Sequence, residues 1–294
     1  MTAKAQMIGV DWGTTHARAW LLDAGGEILA RNKSDAGVSM VEPGGFPGAF
    51  EVLCGRWPRV PAVMAGMIGS RNGWVEAPYV SAPCGAGDVA GAFAALENDR
   101  IHIAPGVDFH AEDATYDVMR GEETKCFGAG VSDGILCLPG THCKWVEMRA
   151  GRIIRFATFA TGEVYGAMAN SFLGRLAEDP GDDTGAPRGL AAAALEGGVL
   201  RALFQARAQV LSGAMRGGQV RPFISGLLVG AEISGALAMF GAPARVHLIA
   251  GPPQSGLYPN ALGARGAAAA LIDPEAAFLS GLRALAQAAR LIRD

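Results

Sequence analysis

The chain has 294 residues, half of them hydrophobic, 18% charged and 42 of them glycine without a collagen-like period, which excludes a disordered or fibrous chain and indicates a compact α/β protein. A net charge of −3 with no Lys/Arg run excludes the basic footprint of a nucleic-acid binder, and the length favours two domains. The five cysteines form no C-x-x-C pair, the longest apolar stretches are broken by Glu163, Glu232 or Asp273, and Asp11 follows a very short apolar run, so the expectation is a cytoplasmic enzyme with reduced thiols and no membrane span.

In chain order, IGVDWGTTHARAWLLD (8–23) reads as two strands joined by a Gly-Thr-Thr turn, with Asp11 just before the turn. Gly13 has no side chain to hold a ligand off, and a turn of this kind offers several backbone N–H groups to one anion, phosphate being the obvious one. A third strand over 27–32 completes an antiparallel meander, followed by a helix over 46–57 and a buried strand over 60–65. Residues 67–83, MIGSRNGWVEAPYVSAP, form a long loop carrying Ser70, Arg71, Asn72, Trp74, Glu76 and Tyr79, either a functional loop or a surface loop with a packed Trp. Gly85, Gly87 and Gly91 imitate a dinucleotide fingerprint, but no strand leads into them. The pattern then predicts a helix over 86–96, a strand over 100–104 and a polar crossing between domains over 108–117.

The second half restates the first. Residues 121–129 predict a helix with Glu122 and Glu123 in its first turn, where carboxylates either serve as a base or simply suit the helix dipole. A strand over 135–138, a Pro139-Gly140-Thr141 turn, a strand over 142–148 and another over 152–159 repeat the opening order, and Thr161 is expected to cap the next helix. Ala- and Leu-rich helices run to Met215, and a Gly-rich helix over 223–240 starts near Ser225-Gly226. A strand over 246–250 feeds a turn over 251–256, a usual ligand position, and the last helix covers 274–293.

No Walker P-loop, G-x-S-x-G or H-E-x-x-H occurs. What remains fits phosphoryl transfer, which needs backbone donors around phosphates, a Mg²⁺ held by carboxylate and water, and a base for the acceptor hydroxyl. Asp11 would hold the metal, and Glu122 or Glu123 would take the proton.

DWGTTHARAWLLD is similar to the D-x-G-T-T-S-x-R-x-x-x-x-D opening of FGGY carbohydrate kinases in the actin-like ATPase superfamily: Asp11, Gly13, Thr14, Thr15, Arg18 and Asp23 match, and His16 replaces Ser. PGTHCKWV looks like the second phosphate motif of that superfamily and LIAGPPQSG like its adenosine motif, without the paired glycines. AGMIGSRNGWVEAPY, MRGEET, PGTHCKWV, TFATGE and SGLLVGAE together resemble the 2-dehydro-3-deoxygalactonokinase family over nearly the whole chain. The resemblance implies two actin-like (ribonuclease H-like) α/β domains, each with a mixed five-stranded sheet flanked by helices, and an active-site cleft between them. Residues 1–115, with helix 274–294 packing back, would hold the sugar acid, and 116–273 the nucleotide.

The implied reaction moves the γ-phosphate of ATP, with Mg²⁺, to the 6-hydroxyl of 2-dehydro-3-deoxy-D-galactonate in galactonate catabolism. Gly13, Thr14, Thr15, Arg18, Gly140, Thr141, His142, Gly226, Gly251 and Ser255 are the nucleotide candidates. For the acid, Arg71 with Ser70, Asn72 and Glu76 would supply charge and planar polar groups, Trp74 and Tyr79 would cover the chain, and Lys144 would meet a carboxylate or phosphate. FGGY kinases carry an Asp where Glu122 is placed, with a one-residue slip, so Glu122 and Glu123 both stand as the base. Another sugar acid such as 2-dehydro-3-deoxygluconate, a nucleotide-binding regulator without kinase activity, and a hydrolase of ATP or polyphosphate are the alternatives. The sequence leaves a homodimer open.

Overall fold

The structure is a computed structural model that describes every residue except 1–3, Asn98, Asp99, Asp113, Asp179, Pro253 and Asp294. It divides into two compact units, one of Met1–Asp133, Val146–Phe156 and Ile272–Asp294, the other of Gly134–Trp145 and Ala157–Leu271.

In the first unit, β1 (Ala5–Trp12) lies in the middle of a sheet covered on both faces, which is why its apolar run Met7, Ile8, Val10 does not alternate with polar residues. It pairs antiparallel with β2 (Ala17–Asp23), and β2 with β3 (Ile28–Ser34). Next come α1 (Phe46–Cys54), β4 (Ala62–Ala65) parallel to β1, β5 (Tyr79–Ser81), α2 (Ala86–Gly91), β6 (Ala94–Leu96), β7 (Ile101–Ile103), β8 (Gly106–His110), β9 (Tyr116–Met119) and α3 (Glu122–Gly128). The main sheet runs β3-β2-β1-β4-β7-β6, and β5-β8-β9 form a separate sheet of three. Trp12, Phe46, Phe50, Ile68 and Ile101 anchor the core beneath.

The second unit contains β10 (Gly134–Leu138), β11 (Cys143–Arg149), β12 (Arg152–Phe159), α4 (Thr161–Ala169), α5 (Gly185–Ala192), α6 (Gly198–Leu211), α7 (Val220–Phe240), β13 (Arg245–Ile249), α8 (Gln254–Gly263) and β14 (Ala268–Ile272), the outer part of the β11–β12 hairpin grouping with the first unit. Its sheet runs β12-β11-β10-β13-β14, with β10 and β13 parallel. The first four strands thus repeat the order β3-β2-β1-β4, which extends to the sheet the strand–turn–strand–turn–strand repeat of the sequence. The final helix, α9 (Pro274–Ala288), is capped by the Asp273 carboxylate, which accepts the Ala276 N–H at 2.7 Å.

Several expectations change. The five-stranded sheet occurs in the second unit, whereas the main sheet of the first has six strands and a separate sheet has three. The helix expected over 86–96 stops at Gly91, and Ala94–Leu96 pairs instead with β7; alanines fit either state, and the pairing edge decides. Residues 108–117 do not cross between units but fall in the β8–β9 hairpin, so the expected boundary at 115/116 lies inside the first unit. The Gly-rich helix begins at Val220 and not near Ser225, and β14 has no counterpart in the expectations. Thr161 opens α4 without capping it, because Ala160 occupies the cap.

Gly217–Phe240 is the one helical stretch among the described residues long and apolar enough to cross a membrane, but 56% of its apolar window is buried inside the protein. Its Glu232 is also buried and accepts hydrogen bonds from Trp145 Nε1 at 2.9 Å and Tyr258 Oη at 2.8 Å. A carboxylate satisfied in this way belongs to a packed interior. All five cysteines are free and buried.

Helices α3 and α9 cross at two glycines: a Cβ on Gly128 would lie 1.9 Å from the Ala277 carbonyl oxygen, and one on Gly281 1.8 Å from that of Thr124. Gly281→Ala should therefore destabilise the protein by roughly 1–3 kcal/mol or more, read as a lower urea midpoint, while Gly87→Ala, where a Cβ meets nothing within 4 Å, serves as the mild control.

Candidate active site

Asp11 stands near the carboxyl end of β1, beside the Gly13-Thr14-Thr15-His16 turn. The turn is closed by Gly13 N–H donating to the His16 carbonyl at 2.9 Å. The carbonyls of Gly13, Thr14 and Thr15 accept from Val38, Ser39 and Gly37 at 3.0, 2.9 and 3.2 Å. The turn is thus tied down through its acceptors, and the N–H groups of Thr14 and Thr15 form no hydrogen bond among the described residues, which is the polarity an anion requires. Gly37 permits the approach, since a Cβ there would lie 2.2 Å from the Thr15 carbonyl carbon. Sequence reasoning missed Gly37, because the contact joins residues over twenty positions apart.

Arg18, opposite Asp11 on β2, donates Nη2 to Asp11 Oδ2 at 2.5 Å. Asp11 Oδ1 faces Gly66, just past β4, where a Cβ would lie 3.5 Å from that oxygen and 2.9 Å from the Trp12 carbonyl oxygen. A Cβ on Gly121 would in turn lie 3.1 Å from Gly66 Cα. Both glycines have φ near +100°, a conformation side-chain-bearing residues avoid. Two bare backbones therefore touch at the ends of β1 and β4 and bring the start of α3 to Asp11.

The two glutamates at that helix start differ in environment. Glu122 is half-buried, and its Oε2 accepts the Arg120 N–H at 3.1 Å. Glu123 is fully buried; its oxygens accept from Gly121 N–H at 2.6 Å and Thr124 Oγ1 at 3.0 Å. Burial first, and then the Glu122 charge, push its carboxyl up from 4.5 to about 7.

The 67–83 loop is less open than its composition predicts. Trp74 packs against Phe50, ring centroids 6.0 Å apart, and so serves the core. Arg71, Asn72 and Glu76 are exposed and form no hydrogen bond or ion pair among the described residues. Tyr79 lies on β5, with the Arg120 guanidinium 4.4 Å from its ring. Arg120 Nη2 donates to the Ala77 carbonyl at 2.9 Å, and sequence reasoning gave this arginine no role.

In the second unit, the 139–142 turn abuts the start of α4, where a Cβ on Gly162 would lie 2.4 Å from the Gly140 carbonyl oxygen. His142 Nε2 lies 2.7 Å from Glu163 Oε2, and Glu163 N–H donates to the Thr141 carbonyl at 3.0 Å. Cys143 Sγ lies 3.4 Å from Gly140 N and 3.4 Å from Tyr258 Oη, linking the turn to the buried Glu232. Lys144 is not a surface cation: it is 5% exposed, and its Nζ donates to Thr158 Oγ1 at 2.7 Å. Gly226 is not at a turn either. It lies inside α7, where a Cβ would be 2.1 Å from the Ala186 carbonyl oxygen, so its role is the packing of α5 on α7. Ser255 lies in the first turn of α8, its N–H donating to the Gly251 carbonyl at 3.2 Å, while Pro253 of the expected turn is outside the described residues.

Comparison with known proteins gives this geometry a family. The 2-keto-3-deoxy-galactonokinase family model matches residues 11–285. The Escherichia coli (strain K12) protein named 2-dehydro-3-deoxygalactonokinase is 35% identical, over 97% of this chain and 98% of its own length. A Sinorhizobium meliloti crystal structure assigned the same name superimposes with a TM-score of 0.87 at 31% identity, covering 96% of this chain and 98% of that one. Component A of the Acidaminococcus fermentans (R)-2-hydroxyglutaryl-CoA dehydratase, at 15% identity and a TM-score of 0.54 over 97% of this chain and all of that one, shares the fold. With Asp11, the glycine contact and Glu122 all inside the matched span, the chain belongs to the 2-keto-3-deoxy-galactonokinase family and is a sugar-acid kinase of actin-like fold.

Proposed function

We propose that the chain transfers the γ-phosphate of ATP to the 6-hydroxyl of 2-dehydro-3-deoxy-D-galactonate, a step of galactonate breakdown in the cytoplasm. The observation that carries this reading is the approach of Asp11 and the Glu122 turn across Gly66 and Gly121. Phosphoryl transfer asks the protein mainly for positioning and charge stabilisation, and a phosphate turn, a metal-binding carboxylate and a base within one site are its minimum parts.

The residues fit Mg²⁺. Among the described residues no group of three His, Cys, Asp or Glu side chains is arranged to cage a metal. Mg²⁺ seldom needs one, being held by one or two carboxylates together with phosphate oxygens and water. Asp11 would hold it, since Arg18 takes only Oδ2, and when bound the ion offsets charge on the phosphates. The free N–H groups at Thr14 and Thr15 receive phosphate oxygens, and the Gly140-Thr141 turn, His142, Gly251 and Ser255 serve the nucleotide.

Glu122 is the base. Its half-buried carboxylate follows Gly121, whose backbone touches Gly66 beside Asp11, whereas Glu123 is fully buried and shapes the turn through Gly121 N–H. The deciding experiment is ADP release with a panel of 2-keto-3-deoxy sugar acids including 2-dehydro-3-deoxygluconate. Wild type with no acid-dependent turnover would overturn the kinase reading, and preference for the gluconate epimer would correct the substrate alone.

Asp11→Asn and Glu122→Gln should each lower kcat roughly 10²–10⁴-fold with unchanged melting curves. If Glu123→Gln loses turnover to the same degree and Glu122→Gln does not, the base is Glu123. A pH effect tests the enclosure of Glu123 independently of which glutamate is the base. Glu123 binds its proton more tightly folded than unfolded, so wild type loses stability as pH rises from 4.5 to about 7, by about 3 kcal/mol at most. Denaturant midpoints between pH 4.5 and 8 should show this slope, and Glu123→Gln should flatten it.

A further inference from the structure

The expected cation for the acid, Arg71, is solvated and carries no structural demand, but a different arginine does. Among the described residues, the buried side-chain nitrogen and oxygen atoms without a hydrogen-bond partner are Ser70 Oγ, Asp108 Oδ1, Arg120 Nε, Arg120 Nη1 and Arg283 Nε. Four of these five atoms belong to the β5-β8-β9 sheet, the loop entering it or the residue leaving it. Buried polar atoms in folded proteins are nearly always bonded, so such a concentration calls for a ligand or another specific cause.

The strand register shows how the group is built. Tyr79 pairs with Gly106, Ser81 with Asp108, Asp108 with Val118, and His110 with Tyr116. Directly paired residues share a face, and alternate residues return to it. One face therefore carries Tyr79, Ser81, Asp108, His110 and Tyr116, with Arg120 following at the end of β9. Tyr116 Oη donates to Asp108 Oδ2 at 3.2 Å, and Tyr116 stacks with His110 at 4.6 Å between centroids. The opposite face, with Val107 and Met119, is buried. Arg120 lies over Tyr79, is tied to Ala77, and has no carboxylate within ion-pair distance among the described residues.

We infer that this face of the three-stranded sheet is the binding site for the acceptor, a polyhydroxy carboxylate, with Arg120 taking the carboxylate and Asp108 a chain hydroxyl. The assignment rests on the proposed kinase reading and deepens it. A guanidinium set away from water without a counter-charge is costly, and an anion offsets that cost with charge-assisted hydrogen bonds. Asp108 Oδ1 is an acceptor with no donor, which a hydroxyl supplies, and the exposed edges of Tyr79 and Tyr116 add aromatic surface on the same face. Arg120 Nη1 lies 3.0 Å from where a Cβ on Gly69 would stand and Nη2 is bonded to the Ala77 carbonyl, so on this assignment the acid reaches the guanidinium only when those loop contacts give way. Glu122, the base, follows Arg120 by two residues, so one stretch of chain holds the acid group and the proton acceptor.

The test compares Arg120→Lys, Asp108→Asn and Arg71→Ala with wild type, using the sugar acid and its 1-carboxamide. Steady-state kinetics give KM and kcat, and calorimetry without nucleotide gives binding. Arg120→Lys keeps a charge but loses the planar fork. It should raise KM for the acid roughly 10–100-fold and abolish the preference for acid over carboxamide. Asp108→Asn should raise KM for both compounds alike. An acid preference that survives Arg120→Lys, or a loss that follows Arg71→Ala instead, overturns the assignment. If Arg120→Lys fails to fold, Asp108→Asn decides: an unchanged KM and binding constant overturn the site. Arg120-dependent binding of the acid by a wild type that transfers no phosphate would uphold this site and sink the kinase reading.

Discussion

The approach of Gly66 to Gly121 is the constraint on which the candidate site depends. A Cβ on Gly121 would lie 3.1 Å from Gly66 Cα, and one on Gly66 would lie 2.9 Å from the Trp12 carbonyl oxygen. Three chain segments far apart in sequence therefore meet with only backbone between them, with Asp11 Oδ1 3.5 Å from where a Gly66 Cβ would stand and Glu122 next in the chain to Gly121. The α3–α9 crossing holds the other side of α3 with the same device, Gly128 and Gly281 letting backbone touch backbone. Packing of this kind leaves no slack, which suits a site in which small misplacements are expensive in rate.

Buried charge is the second theme. Glu123 is enclosed and pushed up to about 7, Glu232 is enclosed but bonded to Trp145 and Tyr258, and Arg120 is partly enclosed with two nitrogens unbonded. Glu232 is well satisfied and, through Tyr258 and Cys143, braces the 139–142 turn against α8. Arg120 is unsatisfied, and of these groups it has the strongest physical call on a ligand. The same low-dielectric surroundings reward the first arrangement and penalise the second.

The two units use one strand order to present a Gly-Thr turn and secure that turn differently. In the first, residues 37–39 take its carbonyls; in the second, the start of α4 presses against Gly140 and takes the Thr141 carbonyl. The repeat was legible because strand, Gly-Thr turn and strand recur in the sequence at matching positions. The β5-β8-β9 sheet was not, since its strands are short and polar on one face, a pattern that reads as loop until the edges pair.

By itself the sequence determined the local chemistry: the turns at Gly13 and Gly140, the carboxylate before the first turn, the glutamates opening α3, the repeated strand order and, through its long motifs, the family. These are encoded by neighbours in the chain, where glycine, threonine and alternating apolar residues act over a few positions. Only the tertiary structure showed that Glu123 is enclosed while Glu122 is half-buried, moved Lys144, Trp74 and Gly226 into packing roles, and left Arg120 and Asp108 with unpaired buried atoms. Burial and hydrogen-bond satisfaction are properties of what surrounds a side chain, and those surroundings come from other segments of the chain, as with Arg120 and Ala77 or Tyr258 and Cys143.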